Sequence, residues 1–154
     1  LIHKSDIGGV HVGADGDAVV RDIAARMLTL VPGARVLVEQ MVTAGVEVLV
    51  AARRDGVVPT LTIGLGGVWA EALEDVACVP LPATPERVRT ALVGLRAYPL
   101  LAGARGRTAC DIDALCDAAS RMGDALLAER LALIEVNPVA VGVAGCIAVD
   151  AVVS

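Results

Sequence analysis

Asn137, within Glu135-Val136-Asn137-Pro138-Val139, and Asp150, within Ala148-Val149-Asp150-Ala151, flank a short run of Gly, Val and Ala. Two oxygen-bearing side chains set across such an apolar hairpin suit a hard cation. Magnesium takes one or two protein oxygens, keeps several waters and shares its remaining positions with phosphate oxygens. The same residues also serve an ordinary hairpin, because Asn-Pro begins turns.

Further up the chain, His3-Lys4-Ser5-Asp6-Ile7-Gly8-Gly9-Val10 gathers a histidine, a cation, a hydroxyl, a carboxylate and a glycine pair. Glycines let backbone N–H groups close on a phosphate, and the lysine adds charge. A polar turn entering a strand has the same composition. Glu39 follows Val36-Leu37-Val38, and Glu47 lies between Val46 and Val48. On an inward face these carboxylates would hold a ribose or an amine; on an outward face they are solvated positions of an alternating strand. Gly64, Gly66 and Gly67 before Glu71 read either as a glycine loop or as a bend between strands. They lack both the Gly-Lys-Ser/Thr ending of a P-loop and the spacing of a dinucleotide turn. Cys78, Cys110, Cys116 and Cys146 are dispersed, with no Cys-x-x-Cys. They read as small buried residues of a reducing cytoplasm, and a zinc site from Cys110, Cys116 and a histidine is poorly spaced.

The elements that must position these residues follow from pattern. Residues 1–13 read as a strand and turn. Asp15 or Asp17 caps a helix reaching about Leu30, with Val19, Val20, Ile23 and Met27 on its apolar side and Pro32-Gly33 after it. Val36–Val42, Val46–Arg53 and Val57–Ile63 read as an antiparallel meander, with Asp55-Gly56 as a hairpin turn. Val76–Leu81 is a further short strand. Thr84-Pro85-Glu86 starts a helix with Pro in its first turn, running to about Leu95. Residues 97–110 read as loop. Asp111 caps a long helix to about Glu129 with a stripe of Ile112, Leu115, Met122, Leu126 and Leu127. Leu131–Val136 and Gly145–Val152 pair as strands. The expectation is an α+β domain with helices on one face of a mostly antiparallel sheet.

Composition narrows the function. The chain has 154 residues, one domain by size or part of a larger one, and is 56% hydrophobic with no Phe, so its core is aliphatic. Net charge is −5 and Lys4 is the only lysine. Without a basic cluster, nucleic acid is excluded as the expected partner. No uninterrupted apolar run approaches the ~18–20 residues that span a membrane. Leu1 is not an initiator Met, so the chain reads as an excised piece, with no signal peptide expected ahead of the fold.

In order along the chain, HKSDIGGV, VLVEQMVTAGVEVLV, GLGGVWAE, GARGR and IEVNPVAV with GCIAVDAVV resemble the ATP-grasp domain of NDP-forming acyl-CoA synthetases. The resemblance is nearest to the beta subunit of ADP-forming acetyl-CoA synthetases and their acyltransferase-linked fusions, and more distant to the succinyl-CoA synthetase beta subunit. It implies a partial ATP-grasp fold over residues 1–154 that lacks its N-terminal part, because the family's region begins some tens of residues earlier and carries another nucleotide-contacting lysine there. It implies that Glu39, Gln40, Met41 and Val42 border the adenine, largely through backbone, and that Glu47 holds the ribose. Gly8 and Gly9 close over the nucleotide, and Asn137 and Asp150 ligate Mg²⁺ on the phosphates. His3 relays the phosphoryl group, since a neutral imidazole can attack phosphorus and leave again, and Lys4 steadies the transferred charge.

The implied reaction is acyl-CoA + ADP + phosphate ⇌ carboxylate + CoA + ATP, through an acyl phosphate and a phosphohistidine. The implied ligands are ATP or ADP with Mg²⁺. The implied partners are CoA-binding and ligase domains, on the same full-length chain or on another subunit of a cytoplasmic protein, with an oligomer among the expected assemblies. The isolated piece is expected to be inactive. A second class stays open: an adenine-nucleotide sensor or assembly module beside an acyltransferase, with no catalysis of its own.

Overall fold

Val46–Arg53 alternates buried Val46, Val48 and Val50 with the less buried Glu47 and Leu49, a period-two pattern of a strand, and pairing on both flanks makes it the central one of the sheet. The computed structural model describes residues 7–42, 45–67 and 73–154. The chain divides into two units, Leu1–Val42 and Thr43–Ser154.

In the second unit, β1 (Val46–Arg53), β2 (Thr60–Leu65), β3 (Val76–Pro80), β4 (Leu133–Gly142), β5 (Gly145–Ala148) and β6 (Ala151–Val153) form one sheet. Its order is β3-β2-β1-β4-β5, with β6 also on β4, and each of these pairings is antiparallel. Two helices cover one face. The first is α2 (Pro85–Val93), whose Thr84 hydroxyl accepts the Arg87 N–H at 3.4 Å and whose Pro85 opens the first turn. Short α3 (Tyr98–Leu101) and a 3₁₀ turn at Ala104–Gly106 follow it. The second covering helix is α4 (Ile112–Ala128), capped by Asp111, whose carboxylate accepts the Ala114 N–H at 3.0 Å.

The apolar stripe of α4 (Leu115, Ala119, Leu126) meets Val88 and Leu92 of α2 over Val48, Val50, Leu61 and Ile63 of the sheet. Leu61, Ile63, Leu92, Leu115 and Leu126 are fully buried, and each contributes ~1.5–3 kcal/mol by leaving water. Leu81 packs its end against Gly123, where a Cβ would force that side chain to shift. The opposite face of the sheet is not covered by these helices. There Arg53 and Glu135 pair across β1 and β4 at 3.4 Å.

In the first unit, α1 runs over Asp17–Met27 with Gly16 as its cap and no capping side chain, so neither Asp15 nor Asp17 acts as the expected cap. Ile23 is buried, whereas Val19, Leu28 and Leu30 are exposed. Residues 34–42 form no strand, which corrects the reading of Val36–Val42 as the first strand of a meander. An apolar run registers a wish for burial, but a strand exists only where a partner completes its hydrogen bonds. Leu37, Val38 and Met41 are exposed, and the hairpin of β1 and β2 is what remains of the meander. Residues 7–13 likewise carry no strand. The 97–110 segment, expected as loop, holds α3 and the 3₁₀ turn because the N–H groups of Leu100 and Ala102 return to Ala97 and Tyr98.

Candidate functional site

Pro138 decides the shape of β4. Lacking an N–H, it cannot serve a central ladder. The register against β1 jumps there, from Val48 opposite Val139 to Val50 opposite Val136. The extra residue is a bulge, and a bulge re-aims the side chains beside it. The Asn137–Pro138 peptide is cis. On the other flank of β4, Val139 faces Ala148 and Val136 faces Ala151. Between these pairs the Asn137 N–H donates to the Asp150 carbonyl, and the Val149 N–H to the Pro138 carbonyl, both at 3.1 Å. Asn137 and Asp150 are therefore directly opposed, and opposed residues of antiparallel strands share a face. Asp150 is exposed at the bend between β5 and β6.

On the other side of β4, Glu47 alternates out of the buried Val46 and Val48 row. The chain leaving β2 doubles back over it. The Gly66 N–H donates to the Glu47 carbonyl at 2.9 Å, and the Gly67 N–H donates to Asn137 Oδ1 at 2.9 Å. A Cβ on Gly66 would come within 2.7 Å of the Val48 carbonyl carbon. A Cβ on Gly67 would overlap Glu47 Oε2, and Gly67 has a φ of +59° that favours glycine in any case. The glycine run is thus a tight saddle on β1. Its end holds the Asn137 carboxamide and seats the Glu47 carboxylate. Arg107, from the GARGR loop, donates to the Gly45 carbonyl at 3.3 Å, just ahead of β1. Asp75 anchors the start of β3: its carboxylate accepts the Ala97 N–H at 2.8 Å and the Arg96 N–H at 3.2 Å.

Of the expected site residues, the second unit brings together Glu47, Asn137 and Asp150. Gly8, Gly9, Glu39, Gln40, Met41 and Val42 belong to the first unit. There Gly8 has a φ of +73° and lines an open hollow of about 240 Å³ with His11, Ile23, Arg26, Met27 and Leu30. Glu39 is exposed, and the Gly13 N–H reaches Met41 Sδ at 3.5 Å. His3 and Lys4 lie outside the described residues. Sequence reasoning missed Gly67 as the residue joining two site side chains. The only available signal was a pair of glycines after a strand, and the contact it makes lies 70 residues away.

Among the described residues, no three His, Cys, Asp or Glu side chains gather where they could hold a metal by themselves. The oxygens of Asn137 and Asp150 nevertheless fit a magnesium ion that draws its remaining ligands from water and phosphate. Asn137 Oδ1 accepts a hydrogen bond from Gly67 and, as a carbonyl oxygen, has a second lone pair to offer. Cys78 is exposed, against the expectation of a buried thiol, and the other three thiols do not suit nucleophilic chemistry. Burial pushes Cys116 up to about 11 and raises Cys110 and Cys146, so all three stay protonated near neutrality. No helix among the described residues is long and apolar enough to cross a membrane.

A family model described as an ATP-grasp domain matches residues 1–154. The beta subunit of ADP-forming acetate–CoA ligase I from Pyrococcus furiosus is 35% identical over 98% of this chain, which spans 69% of that subunit. ADP-forming acetate–CoA ligase I from Archaeoglobus fulgidus is 34% identical over 97% of this chain, which spans only 23% of that larger protein. Among solved structures, acetyl-coenzyme A synthetase 1 from Ca. Korarchaeum cryptofilum, in complex with coenzyme A and Mg-AMPPCP, superposes with a TM-score of 0.88 at 33% identity. That match covers 99% of this chain and 70% of the solved one. The same synthetase with coenzyme A and Ca-AMPCP gives a TM-score of 0.90 at 32% identity. Glycine saddle, bulged β4 and helix-backed antiparallel sheet thus occur in a chain matched from its first residue to its last: it belongs to the ATP-grasp family, in the branch of the ADP-forming acyl-CoA synthetases.

Proposed function

We propose that this domain is the nucleotide-binding part of an ADP-forming acyl-CoA synthetase, transferring a phosphoryl group between ATP or ADP and a phosphohistidine or acyl phosphate. The observation that carries the site assignment is the meeting of Glu47, Gly67, Asn137 and Asp150 at one place on the sheet face opposite α2 and α4.

Asn137 and Asp150 would hold Mg²⁺, whose chemistry when bound is to neutralise and orient phosphate oxygens. Glu47, held against Gly67, would accept hydrogen bonds from the ribose hydroxyls. Residues 39–42 would border the adenine, with Gly8 and Gly9 closing over the nucleotide. His3 would relay the phosphoryl group by attacking phosphorus with a neutral ring nitrogen, and Lys4 would offset the charge in transfer. In such a reaction the chain's contribution is positioning and charge neutralisation, because the transferred group needs little covalent help. The Korarchaeum synthetase was solved with coenzyme A, Mg-AMPPCP and a phosphohistidine segment pointing towards the nucleotide site. By analogy, CoA and the acyl group would bind on domains or subunits beyond this one.

The test is Asp150→Ala in the intact protein, with Mg-ATP binding followed by calorimetry. Binding is expected to weaken at least ~10-fold, equal to ~1.4 kcal/mol, while binding of metal-free nucleotide changes little. Unchanged Mg-ATP affinity would remove Asp150 from the metal site.

A further inference from the structure

We propose that Gly67 is a positioning residue that couples the metal-holding and nucleotide-holding side chains; this rests on the assignments of Asn137 and Glu47 made above. One residue touches both. Its amide holds the Asn137 carboxamide at 2.9 Å, and the Glu47 carboxylate occupies the space that a Cβ on Gly67 would fill. Amide donors behind a ligand set its orientation and leave its outer lone pair for the ion. Gly66 cannot drift to compensate, because it is locked to β1 by its hydrogen bond to the Glu47 carbonyl and by backbone on either side of Val48. A side chain on Gly67 would therefore have to displace the Glu47 carboxylate or carry the Gly67 amide away from Asn137. Magnesium affinity and nucleotide affinity are thereby linked through a single turn rather than through the ligand alone.

The experiment uses the intact protein and measures ADP binding against Mg²⁺ concentration. Gly67→Ala is expected to raise the Mg²⁺ concentration for half-maximal binding about 10-fold or more, within the ~10–100-fold range seen when a ligand's support is lost. Glu47→Asp shortens the side chain that the new methyl would strike. The double variant Gly67→Ala/Glu47→Asp should therefore need less Mg²⁺ than Gly67→Ala alone, a recovery that independent effects at the two sites would not produce. Additive losses in this cycle would overturn the coupling. Asn137→Ala separates the two levels of the argument. If it leaves the Mg²⁺ requirement unchanged, the metal assignment fails and the coupling with it. If it raises the requirement while Gly67→Ala does not, only the coupling fails. Should Gly67→Ala not fold, amide exchange decides: the Gly67 N–H must exchange faster in Asn137→Ala than in the parent, and equal rates would overturn the proposal.

Discussion

Replacing Arg54 with Met should destabilise the second unit by about 1 kcal/mol, a net figure left by opposing effects. Arg54 follows β1, and its Nη2 donates to the Leu126 and Leu127 carbonyls at 3.0 and 3.1 Å. These carbonyls belong to α4, whose last turn has no basic residue of its own. A hydrogen bond from a charged donor contributes ~1.5–3 kcal/mol; the pair is counted once, because Leu126 O keeps another donor when Arg54 is removed and only the Leu127 bond is lost outright. A cation at a helix C-terminus adds ~0.3–1 kcal/mol. Against this, Arg54 Nε is buried without a partner among the described residues, and an unsatisfied buried donor costs about 1–3 kcal/mol. Leu126 O keeps a second donor, the Leu131 N–H at 3.1 Å, so the variant orphans little on the helix side. The difference corresponds to a fall in Tm of roughly 2–4 °C for a chain of this length.

Arg54→Lys keeps a cation at the helix end and removes the orphan Nε–H. It should therefore lie above Arg54→Met and close to the parent. Thermal unfolding followed by circular dichroism at neutral pH ranks the three proteins. A Met variant as stable as the Lys variant would show that the charge at the end of α4 contributes nothing. A Lys variant that falls as far as the Met variant would show that the fork geometry matters and the orphan nitrogen does not.

Two further outcomes follow from anchoring carboxylates. The Ala97 N–H holds Asp75 below the usual carboxylate range against the opposing effect of burial, with help from the Arg96 N–H and guanidinium. Such a group stabilises the fold above its unfolded-state pKa of ~3.9 and loses that contribution as pH falls through the lower folded value. Asp75→Asn should thus lower Tm at neutral pH and converge on the parent in acid, and a gap that stays constant from neutrality into acid would exclude the mechanism. Asp111→Ala removes the cap of α4 and should cost ~0.5–2 kcal/mol in denaturant unfolding; a variant with an unchanged midpoint would mean that the Ala114 N–H finds another acceptor.

What could be read from the sequence, and what could not, divides along a physical line. The covering helices were legible because their signals are local. Thr84-Pro85 and Asp111 cap α2 and α4 in the structure, and Leu115 and Leu126 fall on the buried stripe. The hairpin placing Asn137 opposite Asp150 was legible for the same reason, since its register follows from a short turn. Val36–Val42 misled because it has the composition of a strand, whereas pairing is a property of a partner rather than of the run itself. Gly67 was illegible for a deeper reason. A glycine's absence of side chain is read only against what would otherwise fill the space, and here the occupant is Glu47, brought there by the β1–β2 pairing. The family motifs marked the individual residues proposed to hold ligands. The turn that makes two of them move together exists only in three dimensions, where a saddle of glycines lets the end of β2 fold back onto the strand beside it.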